Sequence, residues 1–268
     1  MTNPTPATVR ISGWPLALIA TVISMVAMTL ALVTRTVDYQ DTAEFLKGAT
    51  PWLLGGLVVL AILWRWSGLR VQGPIQWSPQ ILWLVLLLGL GAVTVGVTAA
   101  GSTSIDWGLL AVVCLGTLIV GITEELAFRG LALNGLGQKI SIVAGVFISS
   151  VLFGVFHSVN VIGGVVIGGA IFQVIFTALA GIVIGWIYVF SGRNLLLVMG
   201  YHWLYDFFQI APLVMDGDKF APTGNVMVLL IPLAAIVLSV VGVKKCKGER
   251  IDNQSGIPVS AANNPATK

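Results

Sequence analysis

Charge is scarce in this sequence. Only 9% of its 268 residues are Asp, Glu, Lys or Arg, whereas about a quarter of an ordinary soluble domain is charged. Hydrophobic residues make up 57% of the chain, which is more than a soluble domain of this size can bury. The composition therefore excludes a soluble globular protein and predicts a multi-pass protein of the cell membrane.

Cysteine and histidine are equally rare. The two cysteines are Cys114, inside an apolar run, and Cys246, in a basic tail, so no disulfide framework is expected. No glycine-rich phosphate loop follows a predicted strand, and no nucleic-acid partner is expected. Both histidines, His157 and His202, lie within predicted membrane spans, where an ionisable side chain suggests function.

Apolar runs of the length needed to cross a bilayer, about 20 residues, recur along the chain. They predict an all-α fold, a polytopic transmembrane helix bundle of about eight spans. The predicted spans are residues 14–34, 51–64, 81–100, a run from 107 into the glutamates at 124 and 125, 140–157, 170–190, 194–211 and 225–243. Residues 161–170 are interpreted as a broken or re-entrant piece.

This pattern divides the chain into five parts. A polar N-terminal segment precedes three helices without a functional motif, and a core with the ionisable residues precedes the last helix and a basic tail predicted to be disordered. The parts are residues 1–13, 14–100, 107–211, 225–243 and 244–268. With eight spans, eleven Lys and Arg residues fall on the side of the termini and three on the other, which predicts that both termini are cytoplasmic.

Six ionisable residues lie within three of the apolar runs. They are Glu124, Glu125, Arg129, His157, His202 and Asp206. Residues four apart share a helix face, so Glu125 can pair with Arg129, and His202 can contact Asp206. Glu124 points about 100° away from Glu125, so we expect the two carboxylates to have different partners. One can be held ionised by Arg129 while the other serves as a general base.

Two functional classes fit such a cluster. A carboxylate that acts as a general base, with an imidazole that positions a water or carries a proton, can catalyse a reaction inside the membrane. A Glu/His/Asp chain can also relay protons in a transporter, or the protein can be a non-enzymatic immunity scaffold. A structural role for any single residue is easy to imagine. Six such residues on three helices, including every histidine in the chain, favour a functional site.

Three short motifs in this region resemble those of the CPBP intramembrane proteases, which include the type II CAAX prenyl endopeptidases and the bacterial Abi proteins. Glu124 to Arg129 resembles the EExxxR motif, Phe153 to His157 resembles FxxxH, and His202 to Asp206 resembles HxxxN/D. Each motif alone is weak, but their order on successive apolar helices is specific. The resemblance covers residues 107–211 and implies a CPBP/Abi-type catalytic core.

The resemblance implies a role for each residue. Glu124 with His157 would activate water, and Glu125 with Arg129 would form a supporting ion pair. His202 and residue 206 would stabilise the oxyanion. Some family members have Asn at this last position. An ionised Asp206 accepts hydrogen bonds but cannot donate one, so orienting His202 is its more natural role.

The resemblance leaves the metal and the substrate open. Glu124, His157, His202 and Asp206 are candidate zinc ligands, yet no HExxH arrangement occurs, and the family is also viewed as metal-independent glutamate proteases. We favour no obligatory metal. The expected partners are the lipid bilayer and a peptide or protein substrate reached within the membrane, either prenylated as in CAAX processing or bacteriocin-like as in maturation and self-immunity.

Overall fold

The computed structural model describes residues 10–35, 41–70, 73–102, 104–215, 222–252 and 258–260. Within these ranges the chain is a bundle of nine α-helices with short 3₁₀ and π-helical connections. The helices are α1 (Trp14–Val33), α2 (Thr42–Ser67), α3 (Leu82–Gly101), α4 (Trp107–Glu125), α5 (Asn134–Lys139), α6 (Ile142–Phe156), α7 (Ile167–Phe190), α8 (Leu195–Ile210) and α9 (Pro222–Cys246).

The helices confirm the predicted polytopic bundle. Within the described residues, seven helical runs are long and apolar enough to cross a membrane. The predicted span at 194–211 corresponds to α8, which has 16 residues and falls short of the usual length of about 20. The side on which the termini lie stays a prediction.

The fourth span extends well beyond the glutamates. A π-helical segment, Leu126–Leu133, continues α4 into α5, so one helical run covers Trp107–Lys139. The predicted run stopped at the two carboxylates, but the residues of the π-helical segment after them are apolar or glycine apart from Arg129, which pairs with Glu125. The glutamates therefore lie inside a long helix rather than at its end.

Helix α6 approaches α7, and α4 approaches α8, so closely that a Cβ on a glycine of one helix would meet the backbone of the other. A Cβ on Gly154 of α6 would lie 2.5 Å from the Val174 carbonyl oxygen of α7. A Cβ on Gly121 of α4 would lie 2.9 Å from the Trp203 backbone nitrogen of α8. Small residues allow such backbone contacts between membrane helices. The second contact sets α8 directly against the glutamate-bearing part of α4.

The predicted break between the fifth and sixth spans is present. A 3₁₀ helix, His157–Gly163, follows α6, and Gly164 then adopts a left-handed conformation with φ of 94°. Helix α7 begins at Ile167, three residues before the predicted start. The break places His157 at the start of a tight turn rather than within a straight helix.

The basic tail differs from the predicted disorder. Helix α9 continues to Cys246, and β1 (Glu249–Ile251) pairs antiparallel with β2 (Pro258–Ser260). Ile251 is buried, and its side chain packs so closely that a Cβ on Gly137 would lie 2.7 Å from it. The prediction of disorder from residue 244 onward is therefore wrong for the described part of the tail, because Ile251 anchors it to α5.

Candidate active site

The charged residues of the core are buried. Glu124, Glu125, Arg129 and His202 are each less than 9% exposed, and the Glu125 side chain is fully buried. An isolated charge in such a place is costly unless it is paired and hydrogen-bonded. The arrangement of these groups must therefore account for each charge.

Glu125 and Arg129 form the predicted ion pair. Arg129 Nη1 lies 2.9 Å from Glu125 Oε1, and Nη2 donates a hydrogen bond to the Gly181 carbonyl of α7 at 3.2 Å. The guanidinium also lies 4.7 Å from the ring centroid of Phe153, a distance typical of a cation–π contact. The pair thus links α4 to both α6 and α7.

The π-helical segment after Glu125 depends on Asn134. In a π helix each turn is wider, and its carbonyls need other partners where the helix changes back. The Asn134 side-chain amide donates to the carbonyls of Arg129 and Gly130 at 2.9 and 3.0 Å, and to the Tyr188 hydroxyl at 2.7 Å. Arg193 Nε donates to Asn134 Oδ1 at 2.9 Å. This network fixes the wide turn that carries Arg129.

His202 bridges the carboxylates of α4 and the end of α8. Its Nδ1 lies 2.7 Å from Glu125 Oε1, and since an ionised carboxylate only accepts, Nδ1 donates. Its Nε2 lies 3.7 Å from Glu124 Oε2 and 3.4 Å from Asp206 Oδ2. The His202–Glu125 contact was not predicted. It is Glu125 that fixes the ring through Nδ1, while Asp206 faces the other nitrogen.

His157 is oriented by its own helix. Its Nδ1 lies 2.9 Å from the Phe153 carbonyl, which can only accept, so Nδ1 donates and Nε2 is left for other partners. The Phe153 ring packs edge-on against both histidines, with centroid distances of 4.9 Å to His157 and 5.9 Å to His202. The Phe of the second motif therefore contacts both imidazoles and helps to position them.

These side chains surround a cavity of about 340 Å³. Of the six predicted site residues, Glu124, His157, His202 and Asp206 line it. Glu125 and Arg129 are not among its lining residues. The six residues thus divide into four at the cavity and two that support them from behind.

Sequence reasoning missed much of the cavity wall. Helices α1 and α2 contribute apolar side chains, and the 3₁₀ helix after α6 and helix α7 contribute three polar ones. The missed residues in these segments include Phe45, Leu46, Leu53, Asn160, Gln173 and Thr177. No motif marks the first group. The second had a signal, because Asn160 follows His157 by three residues and Gln173 is an amide in an otherwise apolar span.

The candidate zinc ligands do not fit a metal site as they are arranged. Within the described ranges, no group of three or more His, Cys, Asp or Glu side chains is placed to hold a metal ion. The Nδ1 atoms of both histidines donate to oxygen atoms, so a metal could bind these rings only through Nε2. The chemistry proposed below uses the side chains alone.

Residues 106–208 match a family described as type II CAAX prenyl endopeptidase, Rce1-like. This match confirms the resemblance to the CPBP proteases, and it covers all three motifs. No curated protein and no solved structure matches the chain. The helices α1 to α3 and α9 lie outside the matched range.

Proposed function

Because residues 106–208 belong to the Rce1-like family of type II CAAX prenyl endopeptidases, we propose that this membrane protein hydrolyses a peptide bond with a water activated by Glu124. The observation that carries the proposal is the joint exposure of Glu124, His157 and His202 to one cavity within the helical bundle. A carboxylate, two imidazoles and room for a peptide are the parts that such a hydrolysis needs.

In the proposed reaction Glu124 is the general base. A Glu124 oxygen takes a proton from water while the water oxygen bonds to the substrate carbonyl carbon, whose oxygen becomes an oxyanion. The carbonyl then re-forms, the C–N bond breaks, and the proton on Glu124 moves to the leaving nitrogen. His157 Nε2 accepts a hydrogen bond from the water and holds it in place. A positioned base of this kind contributes about 10²–10⁴-fold to the rate.

His202 is the proposed oxyanion donor. When both its nitrogens are protonated, Nδ1 donates to Glu125 and Nε2 can donate to the oxyanion. Asp206 lies beside Nε2 at 3.4 Å and supplies negative charge to a cationic ring. An ionised Asp206 would repel an oxyanion directly, so we assign it to His202 rather than to the substrate. A preorganised donor is worth about 3–4 kcal/mol in the transition state.

The proposed substrate is a prenylated CaaX-type peptide. Apolar side chains, including Phe45, Leu46, Phe156 and Phe176, form much of the cavity wall. Such a wall suits a substrate with an apolar segment. Bacteriocin maturation or self-immunity is a second use of the same hydrolysis, and it differs in the peptide rather than in the chemistry.

The test uses two variants of cavity residues, Glu124→Gln and His157→Ala, in proteoliposomes with a farnesylated CaaX peptide. We expect each to lower kcat/KM by at least 10²-fold, because each removes a group that acts on the water. The matched control is Glu44→Gln, an exposed glutamate that pairs with Lys47 on α2, and it should leave cleavage unchanged. All three proteins should express and unfold like the parent.

Cleavage that persists in both cavity variants would refute the proposal. A parent that cuts no peptide but catalyses proton-coupled uptake into the vesicles would favour the transporter alternative. Comparing the membrane proteome of cells with the parent and with Glu124→Gln identifies the natural substrate, because uncut precursors accumulate only with the variant.

A further inference from the structure

Two amide side chains lie on the wall of the catalytic cavity. Asn160 is in the 3₁₀ helix that begins at His157, and residues three apart in such a helix lie on one face. Gln173 is on the second turn of α7. Asn160 and Gln173 both line the cavity that Glu124 and His157 line. The amides are thus on the same surface as the proposed chemistry, although neither belongs to a motif named above.

The hydrogen bond between these amides determines which atoms remain available. Asn160 Nδ2 donates to Gln173 Oε1 at 3.0 Å. The Gln173 backbone carbonyl accepts from the Thr177 hydroxyl at 2.7 Å. In the described part of the chain, no protein acceptor takes the two N–H groups of Gln173 Nε2. The Gln173 side chain is therefore held by its oxygen, and its two N–H groups remain available to a ligand in the cavity.

The chemistry of these donors indicates their ligand. An amide N–H matches an uncharged carbonyl oxygen, and a peptide backbone offers one at every residue. A free carboxylate would instead call for a cation, and no Lys or Arg is among the described residues that line the cavity. Water can satisfy the donors when the cavity is empty, and a peptide carbonyl would replace it.

We propose that Asn160 and Gln173 form a peptide-binding subsite in which Gln173 Nε2 donates to a backbone carbonyl of the substrate. Asn160 fixes the Gln173 amide so that its donors, not its oxygen, meet the peptide. The subsite binds the substrate before and during hydrolysis, so it lowers KM rather than raising kcat. The proposal rests on the proposed peptidase function, because it assumes that a peptide enters this cavity.

The test measures binding without cleavage. Every protein in this assay carries Glu124→Gln, and the protein with this change alone is the binding reference. The proteins are kept in detergent micelles, and the probe is a fluorescein-labelled farnesylated CaaX peptide followed by anisotropy. Adding Gln173→Met removes both amide atoms, and adding Gln173→Glu keeps an oxygen for Asn160 while removing the NH₂ donors. We expect each change to raise Kd about tenfold, the loss of one good hydrogen bond.

Gln76→Met is the matched control. Gln76 is an exposed amide that is not among the residues lining the cavity, so Kd should stay the same. On the cleaving protein, Gln173→Met should raise KM by a similar factor and leave kcat nearly unchanged. A thermal unfolding curve like that of the parent shows that each variant is folded.

The outcomes separate the subsite from the function on which it rests. Equal Kd values for the binding reference and both Gln173 variants overturn the subsite but do not affect the proposed peptidase function. Weak binding by Gln173→Met, with binding by Gln173→Glu as tight as that of the binding reference, also overturns the subsite. In that case the oxygen at position 173, and not the N–H donors, would determine the affinity. A binding reference that does not bind the peptide overturns the proposed substrate class and the subsite together.

Discussion

The three N-terminal helices and the family-matched core are similarly apolar, but their buried polar groups bond differently. In α1 and α3 the buried polar side chains are hydroxyls, such as Thr21 and Thr98, that donate to carbonyls of their own helix. In the core, buried charged and amide groups reach across helices, as Glu125 does to His202 and Asn134 does to Tyr188.

This difference separates local structure from site architecture. A hydroxyl that bonds to the preceding turn is satisfied wherever its helix is placed. A carboxylate that needs a partner from another helix fixes the positions of both helices, since leaving it unpaired in a buried place is costly. Motif residues such as Glu125 thus act through the contacts between helices, and the N-terminal helices contribute shape rather than charge.

The largest expected effect breaks a cross-helix contact of the core. Arg129→Met leaves Glu125 buried without its cation, and we expect the free energy of unfolding to fall by about 3–5 kcal/mol. Thermal unfolding in detergent measures the loss. The control is Thr98→Val in α3, which removes a buried hydroxyl bonded within its own helix and should cost less than about 1 kcal/mol.

A second substitution sharpens the same result. Glu125→Gln combined with Arg129→Met removes both charges, so the double variant should be largely as stable as the unchanged protein. Its cleavage should stay low, because His202 has lost the carboxylate at Nδ1. Equal destabilisation by Arg129→Met and Thr98→Val would show that cross-helix pairing has no special weight here.

The next effect concerns the contact that brings α8 to the glutamates. In Gly121→Ala the new Cβ would lie 2.9 Å from the Trp203 nitrogen and 3.2 Å from the Met199 carbonyl oxygen, so the two helices must separate. We expect a loss of about 1–3 kcal/mol in stability and a lower kcat, because His202 moves with α8. Unfolding and cleavage assays measure the two effects.

Gly200→Ala is its control, because a Cβ on Gly200 meets nothing within 4 Å. This variant should behave like the parent in both assays. If Gly121→Ala were equally silent, the close approach of α4 and α8 would not be what positions His202.

These contacts also mark how far sequence reasoning reaches. The i,i+4 rule predicts the Glu125–Arg129 pair because both residues lie on one helical run, and apolar run lengths predict the bundle. The rule cannot predict the His202–Glu125 bond, since these residues are 77 positions apart. It also misses the π-helical turn, which depends on Asn134 of α5, Tyr188 of α7 and Arg193 of the turn after α7 meeting in one place.

The cavity wall and the tail were beyond prediction for a related reason. An apolar side chain that faces lipid and one that faces a cavity look alike in sequence, and Val58 and Leu53 of α2 differ only in their placement. Likewise, a polar tail with one anchoring Ile251 does not stand out by composition. Both features follow from tertiary contacts that no local pattern records.

A smaller effect tests whether the N-terminal helices shape the site. Leu53 is buried and lines the cavity, so Leu53→Ala removes apolar contact with the substrate and should raise KM about tenfold with little change in kcat. Steady-state cleavage in proteoliposomes measures both constants. Val58→Ala, an exposed position on the same helix, is the control and should leave KM unchanged. A fall in kcat for Leu53→Ala would assign α2 a part in the chemistry and break the division between the two regions.

The smallest effect is expected from metal removal. If the cross-helix contacts of the core supply the base through Glu124 and the oxyanion donor through His202, a chelator should leave the rate of cleavage unchanged. Elemental analysis of the purified protein should then find zinc well below one atom per chain. The Glu124→Gln variant is the control for loss of cleavage in the same assay. It shows that an unchanged rate with the chelator does not come from an insensitive assay. Stoichiometric zinc whose removal abolishes cleavage, and whose return restores it, would show that the core is completed by a metal. In that case Glu124, His157, His202 and Asp206 would have to rearrange to bind it, because their described positions do not form a ligand set.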